Sequence, residues 1–388
     1  MTGPHVLYVI DSVVPGGAER SLAAMAPHLV ARGVRLDVAY LKDRPGLQAE
    51  LAAAGAELHC LDGSGGRAGW ARRATRLARR RRPDLIHTTL FEGDIAGRVA
   101  AVATRTPVVT SLVNVNYGPE HYGDPALRRW RLAADQLADA ASARSVRRFH
   151  AVAQTVADTL SRRLRLDPRR IDVIPRGRDL RTLGARSPAR SAAARRALGV
   201  VDGERIVLAV ARQEQAKGLD VLLHAMVGVD PPARLVVAGR EGNHTPLLLR
   251  LVDELGLRGR VTFLGERSDV ADLLCAADLF VLPSRREGLP GSLLEAMALV
   301  TPAVASDLPQ VREVVDDTSA WLVAPEQPTA LAETLTGALR DTEAAAAKAS
   351  LAHRRFVEHF TIETCTDRMV TFYRIALAEQ SGRSRLRP

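Results

Sequence analysis

The chain is poor in cysteine and in aromatic residues, and it has no long apolar run. Its three cysteines, Cys60, Cys275 and Cys365, stand too far apart for a zinc site or a disulfide framework, and suit a reducing cytoplasm. Aromatics make up 4% and none interleave with the arginine runs, which argues against nucleic-acid binding. No stretch of about 18 apolar residues occurs, so we expect no membrane span. Residues 1–10 lack a basic region and run into a strand, so we expect no signal peptide and a cytoplasmic location.

Basic charge is concentrated in the first half of the chain. Residues 1–200 contain 33 Lys and Arg against 18 Asp and Glu, with clusters at 67–82 and 162–196. This asymmetry fits an anionic partner, such as a membrane face that the protein contacts peripherally or a phosphorylated acceptor. It fits equally well a solvated basic helix in an arginine-rich chain. The sequence gives no indication of the oligomeric state.

Strand and helix patterns alternate along the 388 residues. The alternation predicts an α/β protein with two Rossmann-like, doubly wound parallel-sheet domains. We expect an N-terminal domain at 1–180, a linker rich in Arg, Ser, Ala and Pro at 181–194, and a C-terminal domain at 195–365. A helix at about 366–382 is expected to return to the first domain. The predicted strands lie at 5–10, 34–39, 57–60, 84–88, 107–112 and 148–152, then at 205–211, 234–239, 260–264, 278–282, 301–305 and 319–323.

The segment from Glu287 to Glu295 is the most informative part of the sequence. It reads Glu-Gly-Leu-Pro-Gly-Ser-Leu-Leu-Glu and joins a predicted strand to a predicted helix. Ligands bind at such turns on the carboxyl edge of a parallel sheet. The helix start offers N–H groups to an anion, and the two glutamates can accept hydrogen bonds from hydroxyls, which suits a nucleotide sugar. Two alternatives stay open: Ser292 and Glu295 form a capping box, and Glu287 is a solvated loop carboxylate.

Two further motifs follow predicted strands. Gly16 and Gly17 follow the first strand, where backbone N–H groups can approach a phosphate, although a simple turn reads the same way. Arg212 and Lys217 follow the first strand of the second half, and Lys217 is one of three lysines among 54 basic residues. An arginine fork with a lysine ammonium suits a pyrophosphate that gains charge as it leaves. The alternative is a surface pair at the start of the next helix.

The order of these motifs resembles that of a known family. The Gly-Gly loop, an Asp-Leu-Ile-His strand end at 84–87, Val-Ile-Pro at 173–175, Arg212-x4-Lys217-Gly218 and Glu287-x7-Glu295 are similar to the motifs of family-four retaining glycosyltransferases, over roughly residues 5–375. The resemblance implies the GT-B architecture, in which the two domains face a central cleft, and a UDP- or GDP-sugar donor held by the C-terminal domain. It implies net retention and no cofactor or metal, and no Asp-x-Asp metal motif occurs in the sequence.

The resemblance also implies roles for individual residues. Arg212 and Lys217 would bind the donor diphosphate, and Glu287 would contact the transferred sugar beside the backbone of Gly288 and Leu289. Backbone near Ser292 and Leu293 would hold phosphate, and Glu295 would accept from the ribose hydroxyls. Further donor contacts would come from Gly16, Gly17, Arg240, Glu266 and Arg267.

The acceptor side departs from the family pattern. Members often carry a histidine at the end of the strand near 108–112, where this chain has Val113, so the identity of the sugar stays open. Polar residues near the predicted strand ends are our acceptor-site candidates, although His87 also suits a core position and the loop at 114–124 also suits simple packing. These candidates are Glu19, Arg20, His87, Asn114, Asn116, Tyr117 and His121.

The sequence offers no nucleophile for the far face of the sugar. The resemblance therefore implies front-side attack, with the leaving diphosphate helping to deprotonate the acceptor hydroxyl. Two rival functions remain: a GT-B-fold epimerase or phosphorylase, and a catalytically weak scaffold that binds a nucleotide sugar. The sequence does not distinguish a lipid, a polysaccharide and a small secondary metabolite as the acceptor. The Arg- and Ala-rich composition suggests a high-GC bacterium.

Overall fold

The computed structural model describes residues 3–115, 117, 128–230 and 233–384, with 380–384 by their backbone alone. The chain folds as two compact units. The first holds the described residues of Met1–Gly177 and Ile362–Pro388, and the second holds those of Arg178–Thr361. Each unit is built on one parallel sheet with helices in the connections between strands.

The first unit is built on a seven-stranded parallel sheet in the order β3-β2-β1-β4-β5-β6-β7. Every residue of β1 is buried, as expected for a strand covered on both faces. The strands are β1 His5–Ile10, β2 Arg35–Tyr40, β3 Glu57–Cys60, β4 Leu85–Thr89, β5 Val108–Leu112, β6 Arg148–Ala151 and β7 Ile171–Val173. The α-helices are Gly17–Ala31, Gln48–Ala53, Gly66–Arg81, Phe91–Thr104, Arg129–Ser142, Gln154–Leu164 and Ile362–Ser384.

The helix Ile362–Ser384 completes the core of the first unit. Its side chains Met369, Phe372 and Tyr373 are buried among apolar residues of β1, β2 and the helix Gly17–Ala31. Arg32 fixes the helix from outside by donating to Asp367 at 2.5 Å. The predicted return of a helix at about 366–382 to the first domain is therefore seen in the structure, and the helix begins four residues earlier, at Ile362.

The second unit is built on a six-stranded parallel sheet in the order β10-β9-β8-β11-β12-β13. The strands are β8 Arg205–Val210, β9 Ala233–Ala238, β10 Val261–Phe263, β11 Leu279–Leu282, β12 Ala303–Ser306 and β13 Trp321–Val323. The α-helices are Leu180–Leu183, Pro188–Ala197, Leu219–Val227, Thr245–Glu254, Val270–Ala276, Gly291–Ala298, Pro309–Arg312, Pro328–Arg340 and Thr342–His359. The two sheets agree with the predicted fold class.

The structure differs from the prediction at 181–194, which we expected to be a linker. This segment belongs to the second unit and contains the start of the helix Pro188–Ala197. Arg186 donates to the carbonyl oxygens of Leu274 and Ala277, and Arg190 donates to Asp272. Arginine side chains thus fix a segment whose composition resembles that of a loop.

None of the helices in the described part of the chain combines the length and the hydropathy that crossing a bilayer requires.

Candidate functional site

The strand order of the second unit locates the site. From β8 the chain adds β9 and then β10 on one side, and it then returns to add β11 on the other side of β8. The strand order therefore reverses between β8 and β11. In open parallel sheets, ligands bind outside the carboxyl ends of the strands at such a reversal. The two loops that leave this point are 211–218, which contains Arg212 and Lys217, and 283–290, which contains Glu287.

The two loops pack directly on each other. Gly218 has a φ of 62°, and a Cβ atom there would overlap the carbonyl oxygen of Pro283, so only glycine allows this approach. The N–H of Arg285 donates to the carbonyl oxygen of Ala216 at 2.9 Å. The Arg285 guanidinium binds both carboxylate oxygens of Asp220, at 2.7 and 2.6 Å. This bidentate pair fixes the geometry of both loops.

Lys217 and Glu287 meet where these loops join. Lys217 Nζ donates to Glu287 Oε1 at 2.7 Å, and Ser284 Oγ donates to the same oxygen at 2.6 Å. The Glu287 side chain is only 8% exposed, against 22% for Lys217. Glu287 is therefore not a solvated loop carboxylate, and Lys217 is not a surface residue.

Arg212 lies at the open side of the same loop. Its Nη1 donates to Glu214 Oε1 at 2.6 Å, and the side chain is 48% exposed. It therefore remains accessible to a ligand that approaches the carboxyl end of β8.

The helix Gly291–Ala298 begins next to this pair. Pro290 is its N-cap residue and, among the described residues, no side chain caps its first N–H groups. The capping box of Ser292 and Glu295 is not formed, because Glu295 Oε1 accepts a hydrogen bond from Arg178 Nε at 2.7 Å. The N-terminal N–H groups, including those of Ser292 and Leu293, are therefore available to an anion.

Arg178 lies beside the candidate residue Glu295, and the sequence analysis did not identify it. It is the first residue of the second unit, and its side chain is 18% exposed beside Glu295. A Cβ atom on Gly291 would overlap Arg178 Nη2, so the guanidinium covers the start of the helix. The only sequence signal was an arginine shortly after the Val-Ile-Pro motif at 173–175.

The remaining donor-side candidates lie at neighbouring strand ends. Arg240 follows β9 and is exposed, and its carbonyl oxygen accepts from the N–H of Gln213 at 3.1 Å. Glu266 and Arg267 follow β10 and are exposed, with Arg267 paired to Asp269 at 2.8 and 2.5 Å. The turn itself is half-buried at Gly288 and buried at Leu289.

In the first unit, the Gly-Gly loop starts the helix Gly17–Ala31. Gly16 is its N-cap residue in an extended conformation, without a side-chain cap among the described residues. A Cβ atom on Gly16 would lie 2.5 Å from Glu19 Oε2, and one on Gly17 would lie 2.8 Å from Arg176 Nη1. The loop therefore has charged groups of both signs around it, and Arg20 is exposed on the first turn.

His87 does not lie at an accessible site. It is 1% exposed, its Nδ1 bonds the Tyr373 hydroxyl at 2.7 Å, and its Nε2 bonds Ser111 Oγ at 2.7 Å. Ser111 Oγ also bonds His150 Nδ1 at 2.7 Å. Burial lowers the pKa of His87 well below its usual value and lowers the pKa of His150 to about 4, so both rings are neutral. His87 is a core residue.

Tyr117 is also a buried packing residue. The other candidates in this loop are Asn114, Asn116 and His121. Tyr117 is 7% exposed, and its hydroxyl donates to Asp139 at 2.9 Å. Burial raises the pKa of Tyr117, and the Asp139 carboxylate raises it further. Asn114 is exposed, while Asn116 and His121 lie outside the described residues.

One cluster in the first unit has the residue types of a metal site. Asp37, Glu57 and His59 bring ligand atoms close together, and His5 Nε2 bonds Asp37 Oδ2 at 2.9 Å. However, Arg81 donates to both oxygens of Asp37, at 2.8 and 3.0 Å. The guanidinium already neutralises the carboxylate that a metal ion would need.

Two family models match the chain, one in each half. The model described as Glycosyltransferase Family 4 matches residues 15–182, and the model described as Glycosyl transferases group 1 matches residues 191–354.

Curated relatives match over a shorter stretch. The D-inositol 3-phosphate glycosyltransferase of Mycobacterium marinum is 36% identical over 232 residues, which is 57% of this chain and 48% of the relative. The enzyme of the same name from Mycolicibacterium paratuberculosis is 37% identical over 226 residues, 56% of this chain and 50% of the relative. The matched part thus spans about half the length of these relatives.

Solved structures match over nearly the whole chain. Anabaena HepE, crystallised with UDP-glucose, superposes with a TM-score of 0.84 at 23% identity, covering 98% of this chain and 99% of HepE. Sucrose-phosphate synthase from Thermosynechococcus elongatus superposes with a TM-score of 0.82 at 22% identity, covering 97% and 100%. At these identities the likeness shows the fold.

Proposed function

Because the chain belongs to the family-four glycosyltransferases of GT-B architecture, we propose that it transfers a sugar, with retention, from a nucleoside diphosphate sugar to a hydroxyl acceptor. The Lys217–Glu287 contact carries this proposal. It joins a cation suited to a diphosphate and a carboxylate suited to sugar hydroxyls at the reversal point of the sheet. The uncapped helix start at Gly291 adds an anion site beside them.

Each charged residue has a distinct role in this proposal. Lys217 and Arg212 bind the diphosphate, and Glu287 accepts from hydroxyls of the transferred sugar. Glu295 accepts from the ribose hydroxyls. Residues at the ends of β9 and β10 lie next to the nucleotide base, namely Arg240, Glu266 and Arg267.

The reaction needs stabilisation of a leaving group more than it needs a protein nucleophile. The acceptor oxygen attacks the anomeric carbon on the face from which the diphosphate departs, and a diphosphate oxygen receives the acceptor proton. The configuration is retained because attack and departure share one face. Lys217 and the helix N–H groups stabilise the negative charge that grows on the diphosphate. The cationic side chains take the place of a metal ion.

We propose uridine as the base of the donor, and the support for it comes from a similar structure. HepE was crystallised with UDP and with UDP-glucose, which supports a uridine donor. GDP-sugars stay as the alternative, because no described contact of Arg240 or Arg267 distinguishes the two bases.

Thermal unfolding of the purified protein with UDP, GDP and their sugars tests the donor site. A ligand at about 100 times its Kd stabilises the native state by about 2.7 kcal/mol, and we expect this shift to persist in EDTA. Loss of the shift in EDTA would contradict metal independence. NMR of the product, starting from an α-linked donor, is expected to show an α-glycoside, and a β-product would contradict retention.

The basic surface of the first unit leads us to propose peripheral contact with an anionic membrane. The exposed residues Arg72, Arg76 and Arg79 of the helix Gly66–Arg81 line a cavity of about 650 Å³ with Ile95 and Val99. Each basic residue near an anionic surface adds about 1 kcal/mol of attraction. Co-sedimentation with phosphatidylserine vesicles at low salt, and none with phosphatidylcholine vesicles, is the expected result. Equal binding to both would contradict the electrostatic contact.

A further inference from the structure

A cavity of about 380 Å³ lies at the amino edge of the sheet in the second unit. Three of its lining residues mark this edge: Arg205 is the first residue of β8, Asp278 directly precedes β11, and Pro302 directly precedes β12. The loops that contain Lys217 and Glu287 leave the opposite edge. Strand β8 has six residues, so at about 3.3 Å per residue the two edges are about 20 Å apart. The cavity is therefore separate from the proposed donor site.

The charged residues that line this cavity are three arginines and one aspartate. Arg195 Nη1 donates to Asp278 Oδ2 and Arg205 Nη1 donates to Asp278 Oδ1, both at 3.0 Å. The backbone N–H of Ile206 also donates to Oδ2, at 2.8 Å. Because Arg186 is the third arginine, three positive charges face one negative charge, and the lining carries a formal charge of +2.

Arg186 has no carboxylate partner in the part of the chain that the structure describes. Its half-buried guanidinium donates to neutral acceptors only, namely the carbonyl oxygens of Leu274 and Ala277 and the hydroxyl of Thr301, at 3.1 to 3.3 Å. Burial lowers the pKa of Arg186 below its usual value. The helix Val270–Ala276 ends at these carbonyls, and a helix C-terminus supplies only about half a negative charge. An anion in the cavity would supply the rest.

The guanidinium groups keep donors for such an anion. A guanidinium has five N–H groups. Within the described residues, three of them form hydrogen bonds in Arg186 and one does so in Arg205, whose side chain is 39% exposed. The helix Thr342–His359 contributes small side chains to the lining, including Ala345, Ala346 and Ala349, so the cavity has room for a ligand.

We propose that this cavity binds a phosphate group, either as the free ion or as part of a small phosphorylated molecule, through Arg186, Arg195 and Arg205. A phosphate group carries about −1.5 to −2 charges at neutral pH, which matches the +2 of the lining. Its oxygens also match the geometry of arginine forks. The site is additional to the proposed function and does not depend on it.

Two neighbouring alanines give a matched pair of test variants. Ala346 and Ala347 are both exposed on the helix Thr342–His359, and of the two only Ala346 lines the cavity. Ala346→Glu introduces a carboxylate that competes with phosphate for the arginines, whereas Ala347→Glu adds the same charge outside the cavity. In calorimetric titrations with inorganic phosphate at low salt, we expect Ala346→Glu to bind at least about tenfold more weakly than the wild type. Ala347→Glu is expected to stay within about twofold.

Removal of single cations locates the binding. Arg186→Gln and Arg205→Gln are each expected to weaken phosphate by about tenfold, as for loss of a charged hydrogen bond. Lys217→Ala removes a cation from the opposite edge of the sheet and is expected to leave this binding unchanged. If Arg186→Gln does not fold, Arg205→Gln and Ala346→Glu carry the test, because both positions are more accessible.

A second probe, glycerol 3-phosphate, separates the two sources of the phosphate group. An affinity tenfold above that of inorganic phosphate would assign the cavity to a phosphate ester, and an equal or lower affinity would assign it to the free ion.

Three results would overturn the proposal. They are a wild type that does not bind inorganic phosphate, equal affinities in Ala346→Glu and Ala347→Glu, and a loss of binding in Lys217→Ala alone, which would place the phosphate at the donor loops. A protein that binds UDP or GDP but shows any of these results contradicts this inference and leaves the proposed function intact.

Discussion

Polar residues at the strand ends behave differently in the two units. In the first unit, His87, Ser111 and His150 bond one another and Tyr373 in a closed, buried chain. In the second unit, Lys217 and Arg212 each bond one carboxylate and stay partly exposed. A closed network contributes to stability, whereas a half-open ion pair can exchange its partner for a ligand. The type of residue at a strand end therefore says less than whether its hydrogen bonds are already satisfied.

Among the substitutions that test this difference between the units, removal of the Lys217 ammonium is expected to have the largest effect on the turnover rate. Lys217→Ala is expected to reduce the turnover rate about 10²–10³-fold, because the diphosphate gains charge in the transition state. Lys217→Arg is expected to restore only part of the rate, since the guanidinium fork is larger than the ammonium that donates to Glu287. Steady-state kinetics with the donor identified by thermal shift is the measurement. Wild-type rates in both variants would place Lys217 outside the chemistry.

Substitution of Glu287 and of Glu295 compares the proposed roles of two carboxylates within the second unit. Glu287→Gln is expected to reduce transfer more than tenfold with little effect on the binding of free UDP or GDP, because its proposed partner is the transferred sugar. Glu295→Gln is expected to weaken that binding by a similar factor. Both values follow from about 1.5–3 kcal/mol for a hydrogen bond to a charged group. Transfer rates and calorimetric affinities for the two variants separate the roles, and a shared pattern would contradict them.

Removal of the His87 ring tests the closed network of the first unit. His87→Ala removes the bonds to the Tyr373 hydroxyl and to Ser111, which keeps its bond to His150, so we expect a loss of about 1–3 kcal/mol in the free energy of unfolding. Activity per folded molecule is expected to stay within about twofold of the wild type. Urea unfolding and kinetics measure the two quantities. A large loss of activity at unchanged stability would return His87 to the acceptor site.

The pH dependence of stability tests a second histidine of the same buried network. Burial lowers the pKa of His150 from 6.5 to about 4 in the folded protein, so the unfolded chain binds the proton first as the pH falls. The contribution of His150 is therefore fully present above pH 6.5 and is lost towards pH 4, by about 1.4 kcal/mol per pH unit. His150→Gln is expected to flatten the urea-unfolding profile in this window. The exposed His224→Gln is the control, and equal slopes in all three proteins would contradict the assignment.

The sequence predicted most of the strands and the two loops that contain Lys217 and Glu287, for physical reasons. Buried parallel strands are apolar and β-branched, so each predicted strand begins and ends within about two residues of an observed one. The three-residue strand β7, Ile171–Val173, was not predicted. Lys217 was recognisable because lysine is rare in this chain. Glu287 was recognisable because it lies in a Gly- and Pro-containing segment between a predicted strand and a predicted helix.

Two other residues could not be assigned in this way. Arg178 is one of many arginines, and its contact with Glu295 joins positions 117 apart in the chain. His87 follows the same rule, because its partner Tyr373 lies 286 positions away. The sequence pattern around a strand-end histidine is the same whether its ring nitrogens are free or hydrogen-bonded. Local pattern therefore predicts elements and turns, while side-chain partners between distant segments require the folded structure.

The helix Ile362–Ser384 has a consequence for how the protein is made. The second unit is one continuous stretch, Arg178–Thr361, whereas the first unit needs Met369, Phe372 and Tyr373 to fill its core. During synthesis, residues 1–177 leave the ribosome well before this helix does. Until the second unit has been translated, the first unit therefore lacks the side chains that fill its apolar core and the Tyr373 hydroxyl that bonds His87 Nδ1. A chain that ends after residue 361 would combine a complete second unit with an incomplete first one, which is a target for chaperones and proteases.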